Sequence, residues 1–397
     1  MHNYYSTAIS RGPLITLKIM ALYLYAILVL LFAAYDNVDA MDIVFSGGVN
    51  ETYDDNIMYN DISKKSDFIT SLLFGVGLIH QSERTDFELS GQVSRNLYYE
   101  NHKYDNTAEY ANLRLRKELS ANDRILITDV FNHSIEPRSF AYGFGRTVGI
   151  YSYYQNTGVA TYTREVTRHF SVNLQYGNQL NKPSSEEING CNETIVGSQI
   201  DYAWNPSNRL SIIYEYMGFH FQPGKNITYN YDYENDATVN SVILAYRFNF
   251  TNLLYLEVRA GENFIDSYHF TKYKKPYYSA SIVNEIDRNT HLNITYIRQY
   301  LPSLYIPDTM DSRRLSCDLA RQILYRFYFM LGAFWGKGLN QANMYSITFF
   351  GMSTSLTYEF NENLRFNISY TYINNESDIA IESYKRNAVT AGLTGQI

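Results

Sequence analysis

Five histidines (His80, His133, His169, His220 and His291) and the carboxylates around them are the first place to look for acid–base or metal chemistry. They are scattered over separate segments with no fixed local partner, and H-E-x-x-H, G-x-S-x-G and C-x-x-C are absent. They read as polar wall or rim residues. The stretch Tyr53-Asp54-Asp55-Asn56, with Asp61 beyond it, offers oxygen ligands of the kind calcium prefers, although a solvated acidic loop is the plainer reading. "AYGFGRTVG" (141–149) is rich in glycine but lacks the strand-to-helix setting of a phosphate site. Lys272, Lys274 and Lys275 form a small basic patch suited to a solvated loop face or a lipopolysaccharide contact. The residues predict no enzyme, no cofactor, no bound metal and no nucleic-acid partner.

Other ionisable residues recur by a rule. Glu88, Arg114, Arg116, Asp201, Glu215, Glu257, Arg259, Glu285, Asp318 and Arg365 each occupy the polar phase of a segment that alternates apolar and polar residues. If those segments form one wall, the ten line its inner side. Their signs are mixed, which predicts a polar, weakly selective lumen better suited to neutral or acidic glycans than to one ion.

The segments that would position them repeat one phrase. "NENLRFNISYTY" (361–372), "SNRLSIIYEY" (207–216), "TRHFSVNLQY" (167–176) and "TNLLYLEVRA" (251–260) each open on a polar turn and then alternate. Alternation puts successive side chains on opposite faces of a strand. The phrases recur roughly every 35 to 45 positions, as in a repeat architecture. A propeller blade has a similar period but divides it into four short strands, whereas each period here holds two long runs, a hairpin.

Period two yields about eighteen strands, with sixteen as the alternative count, and cores near 42–52, 67–79, 86–98, 108–118, 124–134, 150–163, 168–180, 195–204, 209–221, 237–248, 252–262, 277–286, 290–300, 313–321, 326–336, 345–360, 364–374 and 386–396. Short connections alternate with longer ones, the latter near 54–66, 99–107, 135–149, 181–194, 222–236, 263–276, 301–312, 337–344 and 375–385.

Short turns at one end and longer loops at the other are the pattern of an outer-membrane, up-and-down antiparallel β-barrel. An unpaired backbone group in hydrocarbon costs several kcal/mol, so a spanning sheet must close. The lipid face would hold Leu113 and Leu115, Val172 and Leu174, Ile200 and Tyr202, and Phe366 and Ile368. Asn112, Asn173, Gln175, Asn367 and Ser369 join the charged set on the other face. Tyrosine, 39 residues in 397, suits the membrane–water boundary. Tyr176, Tyr216, Tyr296 and Tyr372 are expected near the loop side and Trp204 near the turn side as an aromatic girdle. Arg95 and Arg298 fall on the lipid-facing phase, where a long side chain can snorkel or a bulge can turn it inward.

The one long apolar run, "IMALYLYAILVLLFAA" (19–34), follows Arg11 and Lys18 and precedes "VDA" (38–40). It predicts a secretory signal peptide over 1–40 with the barrel over 41–397. No plug domain is expected before the first strand. Cys191 and Cys317 are too few for a disulfide framework and read as incidental. The last strand ends on Ile397, where outer-membrane barrels usually end on an aromatic residue.

Residues 51–106, with "YDDNI" (Tyr53–Ile57) after the first strand, "SDFIT" opening the second and a tyrosine-bearing third strand, resemble the β-barrel porin 2 family of Gram-negative outer membranes; "ELSANDRILITDVFNHS" (118–134) continues the likeness. The resemblance covers 45–140 well and the remainder in style. It implies a porin-like barrel in the outer membrane, associated with export of exopolysaccharide or other surface polymers. Its partners would be outer-membrane lipid and lipopolysaccharide, the barrel assembly machinery, polysaccharide and export-system proteins. A general diffusion porin for small solutes and a structural or adhesive barrel with a filled lumen stand beside that reading. Tyr and Asn gathered inside the pore would favour the glycan route, and an inward loop with a dense charge ladder the general porin.

Overall fold

Every alternating run becomes a strand. The computed structural model describes residues 41–135, 152–183, 190–222, 236–267, 270–287, 289–303, 308–340, 346–378 and 383–397. The chain divides into two units, Met1–Asp42 and Ile43–Ile397. The leader expected over 1–40 and the glycine-rich 141–149 lie outside the described residues.

The strands are β1 (Asp42–Asp54), β2 (Asp67–Gln81), β3 (Thr85–Tyr98), β4 (Asn106–Glu118), β5 (Asp123–Ser134), β6 (Tyr153–Glu165), β7 (Phe170–Pro183), β8 (Gly190–Asn205), β9 (Asn208–Gln222), β10 (Ala237–Asn249), β11 (Leu254–Ser267), β12 (Phe270–Asp287), β13 (Thr290–Ser303), β14 (Asp308–Leu324), β15 (Phe327–Asn340), β16 (Ser346–Glu359), β17 (Leu364–Ser377) and β18 (Tyr384–Gln396). Each pairs with its sequence neighbour, antiparallel wherever a register is defined. β18 returns to β1, from Ser46 opposite Gln396 to Asp54 opposite Ala388, and closes an eighteen-stranded barrel with no free edge. A wall of that size has a diameter of roughly 35 Å at a strand spacing of about 4.8 Å and a tilt near 40°.

The strands run past their expected ends on the long-loop side. β11 and β12 reach Ser267 and Phe270 where a loop over 263–276 was expected, β13 and β14 reach Ser303 and Asp308, and β15 continues to Asn340. Lys272, Lys274 and Lys275 are therefore strand residues. Backbone groups make the ladder, so a hairpin can continue beyond the point where its side chains stop alternating.

Directly opposed residues share a face, so the registers carry each face from strand to strand. On the outward face Leu174 is 49% exposed, Ile200 52% and Ile368 43%. Apolar side chains this bare, in row after row, suit hydrocarbon. Exceptions occur. Asp129 and Asn156 also point outward, with the Asn156 amide donating to the carboxylate at 2.9 Å. Gly158 opposite Asp129 makes room for them, since a Cβ there would lie 2.8 Å from Asp129 Oδ2. Arg298 neither snorkels nor turns inward. It keeps its outward phase, is 8% exposed, and grips Asp311 through two hydrogen bonds of 2.9 and 2.6 Å.

Candidate functional site

The inward face is the surface that can do work, and the registers place all ten recurring charges on it. Glu88 stands opposite Arg114, and Asp86 opposite Arg116. Arg116 meets Asp86 at 3.5 Å and Glu118 at 2.9 Å. Arg259 meets Glu257 at 2.6 Å, and Arg365 meets Glu359 at 2.9 Å. Asp201 accepts hydrogen bonds from Asn173 (2.8 Å), Gln199 (2.7 Å), Ser171 and Ser211. Glu285 faces His291 across β12–β13, Asp318 faces Asn293, and Glu215 faces Ser241. Most of these charges lie near the short turns, with Glu215 and Asp318 closer to mid-strand. The structure brings them together in small groups along the wall; they form no single cluster. Asp86, Glu118, Arg209, Arg247 and Glu359 share the face, and the same alternation marks all of them but Arg247.

Above the charges, on β1–β5, the wall becomes neutral and polar. Gln92 and Tyr110 face one another across β3–β4. Gln92 is exposed and Tyr110 44% exposed, both pointing inward. With Asn50, Ser71, Ser94, Asn96, Asn132 and Ser134 they line a cavity of about 240 Å³. Asn96 is fixed by Ser71 (2.8 Å), Ser94 (3.0 Å) and Asn106 (3.0 Å), so part of the lining is rigid. Glu109 also borders the cavity, but its carboxylate lies 3.7 Å from His133 on the outward phase.

The inward face of β9–β11 departs from the polar lining expected. Phe219, Phe221, Val239 and Ile265 form one buried cluster with Cys191 and Tyr153, and Met217 packs against it. Ile213, Ile243 and Ala245 form another, against Tyr277. Runs such as "SVILAYRF" (241–248) are apolar on both phases, and alternation cannot say which side of such a strand meets lipid.

The acidic stretch after β1 is neither a solvated loop nor a cation cage. Asp54 is paired with Arg386 of β18 at 2.6 Å, and both are almost fully buried. The Arg386 guanidinium lies 4.8 Å from the Tyr59 ring, which meets Tyr384 edge-on. Asn56 donates to Lys385 O at 2.8 Å, and the Lys385 N–H donates to Asp61 at 3.0 Å. Asp55 accepts from the Asn387 N–H and side chain and from Lys64. Burial alone would push the Asp55 carboxyl up, but these hydrogen bonds outweigh it and hold it below the usual aspartate range. Ile57 buries itself against Ile69 and Tyr98 on the inner face. Tyr59 adopts a left-handed backbone with φ 53° to make the turn. Segment 54–61 is thus a latch that folds over the inner wall and ties the first loop to the last strand. Among the described residues no three His, Cys, Asp or Glu gather to hold a metal ion.

His80, His133 and His220 fall on the outward phase, His169 in a turn and His291 inside. Cys191 points inward and Cys317 outward, both as free thiols. Tyr176, Trp204, Tyr216, Tyr296 and Tyr372 all lie on the outward phase. Because the strands are longer than expected, the four tyrosines sit near mid-strand and not late in it. Near the turns the outward wall carries a fuller aromatic row than the sequence reading named: Phe170, Tyr202, Trp204 and Tyr246 are linked at 4.7, 6.3 and 6.1 Å.

Among solved structures the chain is similar to OccAB4 of Acinetobacter baumannii (9% identity, TM-score 0.46, covering 90% of this chain and 98% of that one). It is similar also to OccK2 (OpdF) of Pseudomonas aeruginosa in complex with glucuronate (9%, 0.47, 90% and 98%) and to the siderophore receptor PirA of A. baumannii (8%, 0.48, 91% and 81%). At such identities the likeness concerns fold alone. No family model matches the chain, and no curated protein matches it.

Proposed function

We propose that the protein is an outer-membrane, porin-like barrel that passes oligosaccharide or polysaccharide in the service of surface-polymer export, in keeping with the resemblance of residues 45–140 to the β-barrel porin 2 family. The observation that carries the glycan reading is the inward Tyr110–Gln92 pair set among Asn50, Asn132, Ser94 and Asn96. A sugar ring offers hydroxyls to amides and an apolar face to an aromatic ring, and this lining supplies both without a net charge. The ten inward charges would line the lower part of the same passage as a mixed, weakly selective stretch. Outer-membrane lipid surrounds the apolar outward face, and the assembly machinery inserts the barrel.

A general diffusion porin is the second reading. The latch folded onto the inner wall, together with the charge pairs on β3–β4 and β11, favours it. Reconstitution into planar bilayers separates the two. Glycan passage predicts reversible block of the current by neutral oligosaccharide, and relief of that block in Tyr110→Ala. Current that ignores oligosaccharide but shifts toward cations when Arg114 and Arg116 become Glu would leave the diffusion porin. A protein that inserts and never conducts would sink both.

A further inference from the structure

On the outward wall of β12–β16 the registers stack residues into ordered rows. One row runs Tyr278, Arg298, Arg313, Lys337, Thr348, so three cations stand side by side on β13, β14 and β15. Like charges directly opposite one another are destabilising. Arg298 is satisfied internally by Asp311 and by the Tyr278 ring 5.7 Å away. Arg313 has no ion pair among the described residues and is exposed, as is Lys337 beside it. Among the described side chains, the nearest other acids on this side are Asp378, which is bonded to Ser346, and Glu376, opposite Thr348. They lie beyond Lys337, away from Arg313.

The next row toward the turns is Tyr296, Leu315, Trp335, Phe350, with Leu315 43% and Trp335 47% exposed. Below Leu315 and Trp335 come the small pair Cys317 and Ala333, and then Leu319 and Leu331. The small pair between two larger rows makes a shallow dip in an apolar strip that continues below the two cations. Arg313 lies eleven residues from the turn end of β14 and Lys337 ten from that of β15. At roughly 2.5 Å of height per tilted residue, this puts both at the upper limit of an apolar band about 25 Å tall. The outward wall of β8–β10 has no counterpart: Thr194, Gly218 and Thr238 form its corresponding row.

We propose that Arg313 and Lys337 form a binding site for the phosphate of a membrane lipid, whose acyl chain lies along Leu315–Trp335, Cys317–Ala333 and Leu319–Leu331. Asp378 offsets part of the Lys337 charge, and the bound phosphate supplies the counter-charge that Arg313 lacks. The site is independent of whether the lumen conducts.

Native mass spectrometry of the full chain in detergent tests it, with bis-phosphorylated lipid A, its dephosphorylated form and inorganic phosphate as probes. The expected result is retention of the phosphorylated lipid, at least tenfold weaker retention of the dephosphorylated one, and no displacement by inorganic phosphate at the lipid's concentration. Arg313→Gln combined with Lys337→Gln should lower retention at least tenfold, while Arg95→Gln, on the outward face of β3, should not change it. Equal retention of the two lipids by the unaltered protein overturns the proposal even if the double variant fails to fold. Displacement by inorganic phosphate alone overturns the lipid assignment, and full retention by a folded double variant overturns the residues.

Discussion

On β1–β5, above the charges, the inner wall of this barrel is largely amide and hydroxyl, interrupted by Leu73, Ala108 and the Ile57–Ile69–Tyr98 cluster, with Gln92 and Tyr110 open to the interior. On β9–β11, above Glu257 and Arg259, it includes the buried Phe219, Val239 and Ile265, with the partly buried Met217 against them. Both walls turn a largely apolar face outward, although only the first alternates cleanly. Hydrocarbon constrains only that outward face, because only there must every side chain be compatible with lipid. The inward face is free to vary, and the contrast between its two sectors is where specificity can reside. The latch belongs to the polar sector: it fastens the β18–β1 seam through one buried ion pair and a set of hydrogen bonds.

The contrast can be broken at its strongest points first. Arg386→Ala leaves Asp54 buried and unpaired and should cost about 3–5 kcal/mol. Phe219→Ala should cost a similar amount by opening a cavity, about 3–5 kcal/mol. Urea unfolding in detergent measures both. If the sectors differ as described, only the Arg386 change should also raise single-channel conductance; equal conductance changes would mean that the latch does not narrow the passage.

Ile368→Arg against Asn367→Arg tests the two faces of a single strand. A cation on the lipid side near the midplane costs about 2–4 kcal/mol, and one on the inner side should be tolerated. Equal assembly yields in lipid vesicles would reverse the face assignment. A smaller effect is expected within the polar sector. Gln92→Leu should weaken oligosaccharide block about tenfold, equivalent to about 1.4 kcal/mol, whereas Ile243→Asn in the apolar sector should leave block unchanged. Current noise analysis reads both.

The smallest effect is that of pH. Because Asp55 is depressed in the folded protein, its contribution to latch docking is fully present above the unfolded aspartate value and is lost as pH falls through the lower folded one. Amide hydrogen exchange over 54–61 should therefore quicken relative to the β9–β11 sector only below the ordinary aspartate range. Loss of protection at neutral pH, or none in acid, would show that Asp55 does not hold the latch.

Much of the architecture was legible from spacing alone. Alternation located each strand, since burial on one side and polarity on the other require a two-residue period, and the same parity places Glu88, Arg114, Asp201 and Arg365 on one face. It could not resolve β10, whose "SVILAYRF" is apolar on both phases. Nor could it find the loop-side ends of β11–β15, where backbone pairing outlasts the pattern. "YDDNI" carries oxygen ligands and a family likeness in its own letters. Its partner Arg386 lies 332 positions away, and no local pattern encodes a contact across that distance.

By itself the amino-acid sequence determined the strand class, a strand number of about eighteen, and the phase of the polar residues in strands that alternate, because these depend on nearest neighbours along one chain and on the solvent each face must meet. Tertiary structure alone decided which strands meet at the seam, that Asp54 is neutralised by Arg386, that Arg298 is paired while Arg313 is left open, and which part of the inner wall is dry. Those outcomes depend on the register between paired strands and, at the seam, on closure of the sheet, which sets Asp54 beside a residue 332 positions away.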